Sequence, residues 1–411
     1  MKKEHKDNIW ERALDRLCEL YGDQPDLLIL NRFYSEKMMM QQSDYVRLLD
    51  LCGTIRKRAE KLGEHIWVRG TVGSSFVAYL LDATEINPLP LHEYCPECKR
   101  VRFTQRRMSA FEHSGVTCAC GAETRLEGYN LPFEANLRSV FAETVQICVS
   151  HAFFKFDCAE VRSSRSDKAI IASGDEKEIS LIRFYFADDN KMPKLPDSMN
   201  DINLPHVTLV PDKTLDKYRE LELKTGKMMQ DIKLSSCDMS PLRNGDISGI
   251  PNVDSDFMRD LIETTKPVNH DDFLKLIGFA HGTNVWRNNA ELYYYGQQWT
   301  LRQIPAFRED VYDMICQKLR ERGIRETGFA YEVALKTRQG YYEKNDMEDT
   351  THDMLMELGF DVLFYLFLNN VKYMFPKAHA ISYLKDALLL TWYKTCFPEE
   401  YRKIFDLKEE K

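Results

Sequence analysis

Cys95, Cys98, Cys118 and Cys120 stand in Cys-Pro-Glu-Cys and Cys-Ala-Cys-Gly, two short knuckles separated by a loop. Four thiolates satisfy tetrahedral Zn²⁺, and tight turns can aim two sulfurs at one ion. With every position filled by protein, the expected zinc is structural, because no coordination position remains for water or substrate. The second knuckle has one intervening residue where two are usual. The chain has 11 cysteines, and the other seven lie scattered in apolar or helical contexts. Reduced thiols plus one metal site therefore fit better than a disulfide framework.

A second chemistry-bearing stretch is VRGTVGSSFVAYLL, residues 68–81. Gly70, Gly73, Ser74 and Ser75 can present backbone N–H groups and hydroxyls at the positive end of the helix that follows, and Arg69 adds a charged donor. That arrangement suits an anion such as phosphate. The same residue types also serve ordinary turns and caps.

Two-metal phosphoryl transfer needs closely set carboxylates. Asp254 and Asp256 precede a helical pattern and read as cap and first-turn charges; Asp188 and Asp189 precede Asn190-Lys191 and read as a solvated turn. Asp157, in FFKFDCAEV, is the one carboxylate in an apolar context. His65, His151, His281 and His379 have no spacing that suggests metal binding or a catalytic triad, so each reads as structural.

The elements that must position these groups follow from periodicity. Helical spacing runs from Asn8 to about Leu62, HIWV at 65–68 reads as a strand, and a helix after Ser75 stops before Asn87-Pro88. A further helix is expected over 134–156. The stretch EISLIRFYF reads as a strand between exposed loops. From Lys213 the chain is helical to its end, with breaks near Gly249, Thr264, Gly278, Gly340 and Phe375.

Composition bounds the setting. The chain has 411 residues, 44% of them hydrophobic and 29% charged, with 56 basic and 64 acidic side chains for a net charge of -8. Its overall field repels polyanions, so any nucleic-acid contact needs a local basic patch. Without a long apolar run or a signal-peptide core, a cytoplasmic location without membrane contact is expected.

Three stretches, taken in order, resemble the PolC-type DNA polymerase III alpha subunit of bacteria, a C-family DNA polymerase. They are HIWVRGTVGSSFVAYLLDATEINPLPLHEYCPECK, GIPNVDSDFMRDLIETTKPVNHDDFLKLIGFAHGTNVWRNNA and VKYMFPKAHAISYLKDALLLTWYKTCFPEEY. The resemblance implies an α+β, mostly helical fold: a reduced polymerase-β-like nucleotidyltransferase palm with a zinc-ribbon insertion, and a large helical fingers domain. The divisions expected from it are 1–62 (helical part of the palm), 63–134 (palm with the loop and the ribbon at 95–121), 135–205 (divergent connector) and 206–411 (fingers).

The resemblance also implies that Arg69, Gly73, Ser74 and Ser75 seat a nucleotide triphosphate, and that His281, Lys372, Lys377 and His379 face nucleotide and template. The family's paired palm aspartates are not found in LPFEANLRSVFAETVQ, and the strand that carries its third aspartate corresponds to LPHVTLVPDKTL, with Thr208 or a neighbour in its place. The phosphoesterase, proofreading, clamp-binding and duplex-binding parts are not seen either. Mg²⁺ is expected only if the protein is catalytic. The expectation is an inactive polymerase homologue that keeps primer–template DNA or nucleotide binding. The alternatives are a replication-protein interaction module without DNA binding, and an active nucleotidyltransferase with a site rewired onto Asp157, Asp188 and Asp189.

Overall fold

The computed structural model describes residues 2–41, 43, 45–68, 70–104, 109–112, 115–134, 144–153, 169–172 and 206–407. The described chain is α+β and mostly helical, and falls into two compact units. No described helix is long and apolar enough to cross a membrane.

The first unit holds residues 1–130, 136–232 and 397–411. It begins with α1 (Lys2–Tyr21), α2 (Leu27–Met40) and α3 (Tyr45–Lys61). Each buries a stripe at helical spacing, such as Trp10, Ala13, Leu17 and Tyr21 on α1. Asp26 caps α2 by accepting from the Leu28 N–H at 2.8 Å. A short helix α4 (Phe76–Leu80) packs on all three.

The approach of α3 to the end of α4 is closest at Gly53, where a Cβ would lie 2.0 Å from the Leu81 carbonyl oxygen. A backbone atom cannot swing away as a side chain does. Gly53→Ala is therefore expected to cost at least about 2 kcal/mol through overpacking, measured as a lowered thermal or denaturant midpoint.

The sheet of this unit contains β1 (Ile66–Val68), β5 (Thr144–Val149), β6 (Ala169–Ala172) and β7 (His206–Pro211), in the order β1-β5-β7-β6. β5 runs antiparallel to β1 and parallel to β7, with Gln146 opposite Thr208, and β6 is antiparallel to β7. A second, antiparallel sheet has β2 (His92–Tyr94) between β3 (Val101–Phe103) and β4 (Arg125–Glu127).

β5 corrects the expectation of a helix over 134–156. TVQICV is rich in β-branched residues and buries Val145, Ile147, Cys148 and Val149. Pairing on both edges outweighs an apolar run that also fits a helical period. The stretch EISLIRFYF lies outside the described residues. The helix after Ser75 is shorter than expected, closing at Leu80 before Asp82 turns left-handed with φ 58°.

After β7, Asp212 caps α5 (Lys213–Thr225), accepting from Thr214 N–H at 2.9 Å. Trp67 of β1 meets Tyr218 of α5 edge-on, ring centres 5.6 Å apart. The segment 206–232, assigned to the fingers from sequence, thus sits in the first unit because β7 completes its sheet. The last helix, Pro398–Phe405, also packs on α5, with the Lys217 ammonium 5.0 Å from the Phe405 ring.

The second unit, residues 131–135 and 233–396, is built of helices. The main ones are α6 (Asp256–Thr265), α7 (His270–His281), α8 (Arg308–Glu321), α9 (Gly328–Arg338), α10 (Asp349–Glu357), α11 (Val362–Asn370) and α12 (Lys377–Cys396). Ser255, Asn269 and Asp361 cap α6, α7 and α11 by accepting from backbone N–H groups. Fully buried Phe273, Ile277, Leu384 and Leu388 belong to the core to which α7 and α12 contribute.

Candidate metal centre and loop

The glycine-rich loop forms a single tight turn over Thr71–Ser74, entered by Gly70 at φ 95°. Ser75 then caps α4, its Oγ accepting from Ala78 N–H at 3.1 Å. Gly73, Ser74 and Ser75 are brought together as the sequence suggests, and all three are buried. Arg69 lies outside the described residues.

The start of α4 already holds an anion. Glu36, fully buried on α2, accepts from Phe76 N–H at 2.9 Å and Val77 N–H at 3.0 Å, and from the Ser75 hydroxyl at 2.8 Å. Arg32, one turn earlier, donates to Glu36 at 2.5 Å and to the Ser74 carbonyl at 2.7 Å. The amides and dipole that would favour phosphate are thus spent on an internal carboxylate. A signal for Glu36 was present in the sequence: it continues the stripe Ile29, Phe33, Met40, so helical spacing puts a carboxylate on the buried face.

The four knuckle cysteines converge. Sγ of Cys95 lies 3.5 Å from that of Cys120, Cys98 Sγ lies 3.5 Å from Cys118 Sγ, and all four sulfurs are within 4.8 Å of one another. Zn–S bonds of about 2.3 Å in a tetrahedron set sulfurs about 3.8 Å apart, so the cluster has the size of a four-thiolate site. The β2–β3 connection shapes the first knuckle: Cys95 N–H donates to the Arg100 carbonyl and Lys99 N–H to that of Cys95, each at 3.0 Å. The second closes with Gly121 N–H donating to the Cys118 carbonyl at 2.9 Å, with Gly121 at φ 89°. Hydrogen bonds from knuckle amides, that of Cys98 first, pull the Cys95 thiol down to about 6, while Cys120, despite the Ala122 amide, is pushed up to about 11 by the neighbouring cysteines.

In the second unit, His281 and His379 flank Phe375, their rings stacked on it at 4.8 and 5.0 Å, and Tyr383 closes the group 4.6 Å from His379. His281 Nε2 donates to the Asn252 carbonyl at 2.7 Å, and burial lowers its pKa, favouring the neutral ring. Lys372 and Lys377 do not join this group. Lys372 pairs with Glu343 at 3.1 Å, and Lys377 Nζ lies 3.4 Å from Asp310. Burial alone would lower Lys377, but Asp310, Asp313 and Glu309 outweigh it and raise its pKa.

The carboxylates around Lys377 were missed, although REDVYDM places Glu309, Asp310 and Asp313 at helical spacing on α8. Burial pushes Asp313 up to about 7 from an ordinary 3.8, despite Lys377 nearby. A raised carboxyl binds more protons folded than unfolded, so its contribution to stability falls as pH rises from 3.8 toward 7. Asp313→Asn is therefore expected to gain stability relative to wild type between pH 5 and pH 8, read from urea midpoints at the two values. An unchanged difference would contradict this.

His65 and His151 each pair with a carboxylate, Glu222 at 2.9 Å and Asp216 at 2.7 Å. Asp254 pairs with Arg259, and Asp256 lies in the first turn of α6 behind the cap Ser255. Asp157, Asp188 and Asp189 lie outside the described residues. The four strands of the first sheet, IWV, TVQICV, AIIA and HVTLVP, contain no Asp or Glu.

Comparison with known proteins places these features. Residues 220–298 match the family of the bacterial DNA polymerase III alpha subunit finger domain. The PolC-type DNA polymerase III of Thermotoga maritima is 23% identical over 96% of this chain and 34% of its own length. Those of Listeria welshimeri and Streptococcus thermophilus are 23% and 24% identical over 96% and 98% of this chain, and over 32% and 33% of their own lengths. The chain thus spans about a third of the length of the curated relatives it matches. The chain is similar to PolC-type DNA polymerase III along nearly its whole length, at 23–24% identity, and matches the bacterial alpha-subunit finger-domain family at 220–298.

Proposed function

We propose that this protein is a polymerase-derived DNA-binding module that holds primer–template DNA without extending it. The observation that carries this reading is the first sheet, whose described strands contain no carboxylate. If this sheet is the reduced palm that the resemblance implies, β5 and β7 are the strands on which the family's metal-binding aspartates belong. β5 offers Thr144 and Gln146, with Thr208 opposite Gln146 on β7. Neutral side chains cannot hold the two Mg²⁺ ions that activate a primer hydroxyl and neutralise leaving pyrophosphate. Glu36 at the start of α4 supports the same reading, because a triphosphate would compete there with a buried carboxylate.

The four cysteines hold a structural zinc in this reading, and the protein works in the cytoplasm beside replication proteins. Titrating labelled primer–template with the protein should raise fluorescence anisotropy equally with and without Mg²⁺. Binding that requires Mg²⁺ and nucleotide would overturn the reading.

A second reading, a protein-interaction module without DNA binding, has one observation in its favour. Along α2, Leu27 and Met38 are 74% and 73% exposed, with exposed Tyr34 between them. Spaced by seven and four residues, these side chains share one helix face. The same anisotropy titration decides between the readings, since this module would leave the DNA signal unchanged.

A further inference from the structure

We infer that the cations gathered around Tyr94 beside the metal knuckles form the surface that contacts DNA phosphates. This inference rests on the DNA-binding reading and says where on the chain the contact is made. In the small sheet, Arg125 of β4 stands opposite Tyr94 of β2, its guanidinium 5.0 Å from the Tyr94 ring centre and paired with Glu127 at 2.6 Å. The Lys99 ammonium lies 5.9 Å from the same ring. Two cations thus share one buried aromatic ring, which attracts both through its quadrupole. Arg100 follows directly and is exposed, with no carboxylate partner among the described residues. Arg102, also exposed, pairs with the buried Glu93.

Glu127 and Glu93 each neutralise one cation of the group, which leaves the adjacent Lys99 and Arg100 as its uncompensated charges. The stretch Lys99-Arg100-Val101-Arg102-Phe103-Thr104 carries three cations and no acid, in a chain of net charge -8. Such a local surface is what an acidic protein needs to meet a polyanion. Lys99 and Arg100 have no ion pair among the described residues, whereas Lys372 pairs with Glu343 and Lys377 with Asp310. The knuckle also fixes the patch mechanically, because the Cys95 N–H bond to the Arg100 carbonyl sets the turn that carries Lys99 and Arg100. Phosphate contacts from such a patch are sequence-independent.

The test is fluorescence anisotropy of labelled primer–template DNA with the metal-loaded full chain, across a salt series. It compares wild type with a triple variant, Lys99→Ala, Arg100→Ala and Arg125→Ala. A milder pair, Lys99→Gln with Arg100→Gln, covers misfolding, and metal content is checked for all. Losing three phosphate contacts should make the slope of log K against log salt shallower by about 2 to 3 and weaken low-salt binding at least about tenfold. The pair should lose about two-thirds of that slope change, and Lys372→Ala should change little. Wild-type binding with the same slope in both ribbon variants would overturn the inference while leaving the DNA-binding reading intact. Failure of the wild type to bind at low salt would overturn both.

Discussion

Glu36→Ala is expected to lower the stability of the first unit by about 3–5 kcal/mol, the cost of breaking a buried charge network from one side. Three donors lose their acceptor at once: the Phe76 and Val77 N–H groups and the Ser75 hydroxyl. Arg32 keeps the Ser74 carbonyl but loses its carboxylate in a mostly buried position. Each orphaned donor alone costs about 1–3 kcal/mol, and the effects overlap because the helix start can relax. Glu36→Gln keeps the shape and one acceptor oxygen, so roughly half the loss is expected. Urea unfolding of the two variants measures this, and an alanine variant within about 0.5 kcal/mol of wild type would mean that Glu36 does not hold the loop.

The second large effect is expected at the metal. Structural zinc contributes about 10–16 kcal/mol of apparent binding free energy in small zinc domains, much of it spent on folding. Here three strands of three residues each and two knuckles surround the four cysteines, little structure to order the ribbon without a metal. The purified protein should carry one equivalent of zinc by elemental analysis, and Cys98→Ser or Cys118→Ser should each lose most of it. Chelation should open the ribbon locally, so that tryptic cleavage after Lys99, Arg100 and Arg102 speeds up by on the order of tenfold or more. Retention of full metal content by both variants would place the ion elsewhere.

Much of this was legible in the sequence because local chemistry determined it. The cysteine spacing found the four-cysteine cluster, Gly70 through Ser75 found the turn into α4, and the strand at Ile66–Val68 fell where β-branched and aromatic residues between two glycines put it. Features set by contacts distant in sequence were not. β5 read as helix because its pairing with β1 and β7 involves residues about 60 to 80 positions away. Glu36 reaches a loop 40 residues further on, and nothing local to GTVGSS announces its own anion. Lys377 read as a nucleotide contact because Asp310, its partner, lies 67 residues earlier. Basic residues near an expected ligand site therefore gave a poorer guide than the ion pairs that neutralise them.

The central claim of the proposal is that the first sheet, whose described strands carry no carboxylate, does not extend a primer. The direct measurement is primer extension with the metal-loaded protein, labelled primer–template and all four deoxynucleotides, with Mg²⁺ or Mn²⁺ in excess. The account predicts a primer of unchanged length at every protein concentration. Extension by even a few nucleotides that disappears in Asp157→Asn would contradict it and reveal a metal site built from residues outside the described strands.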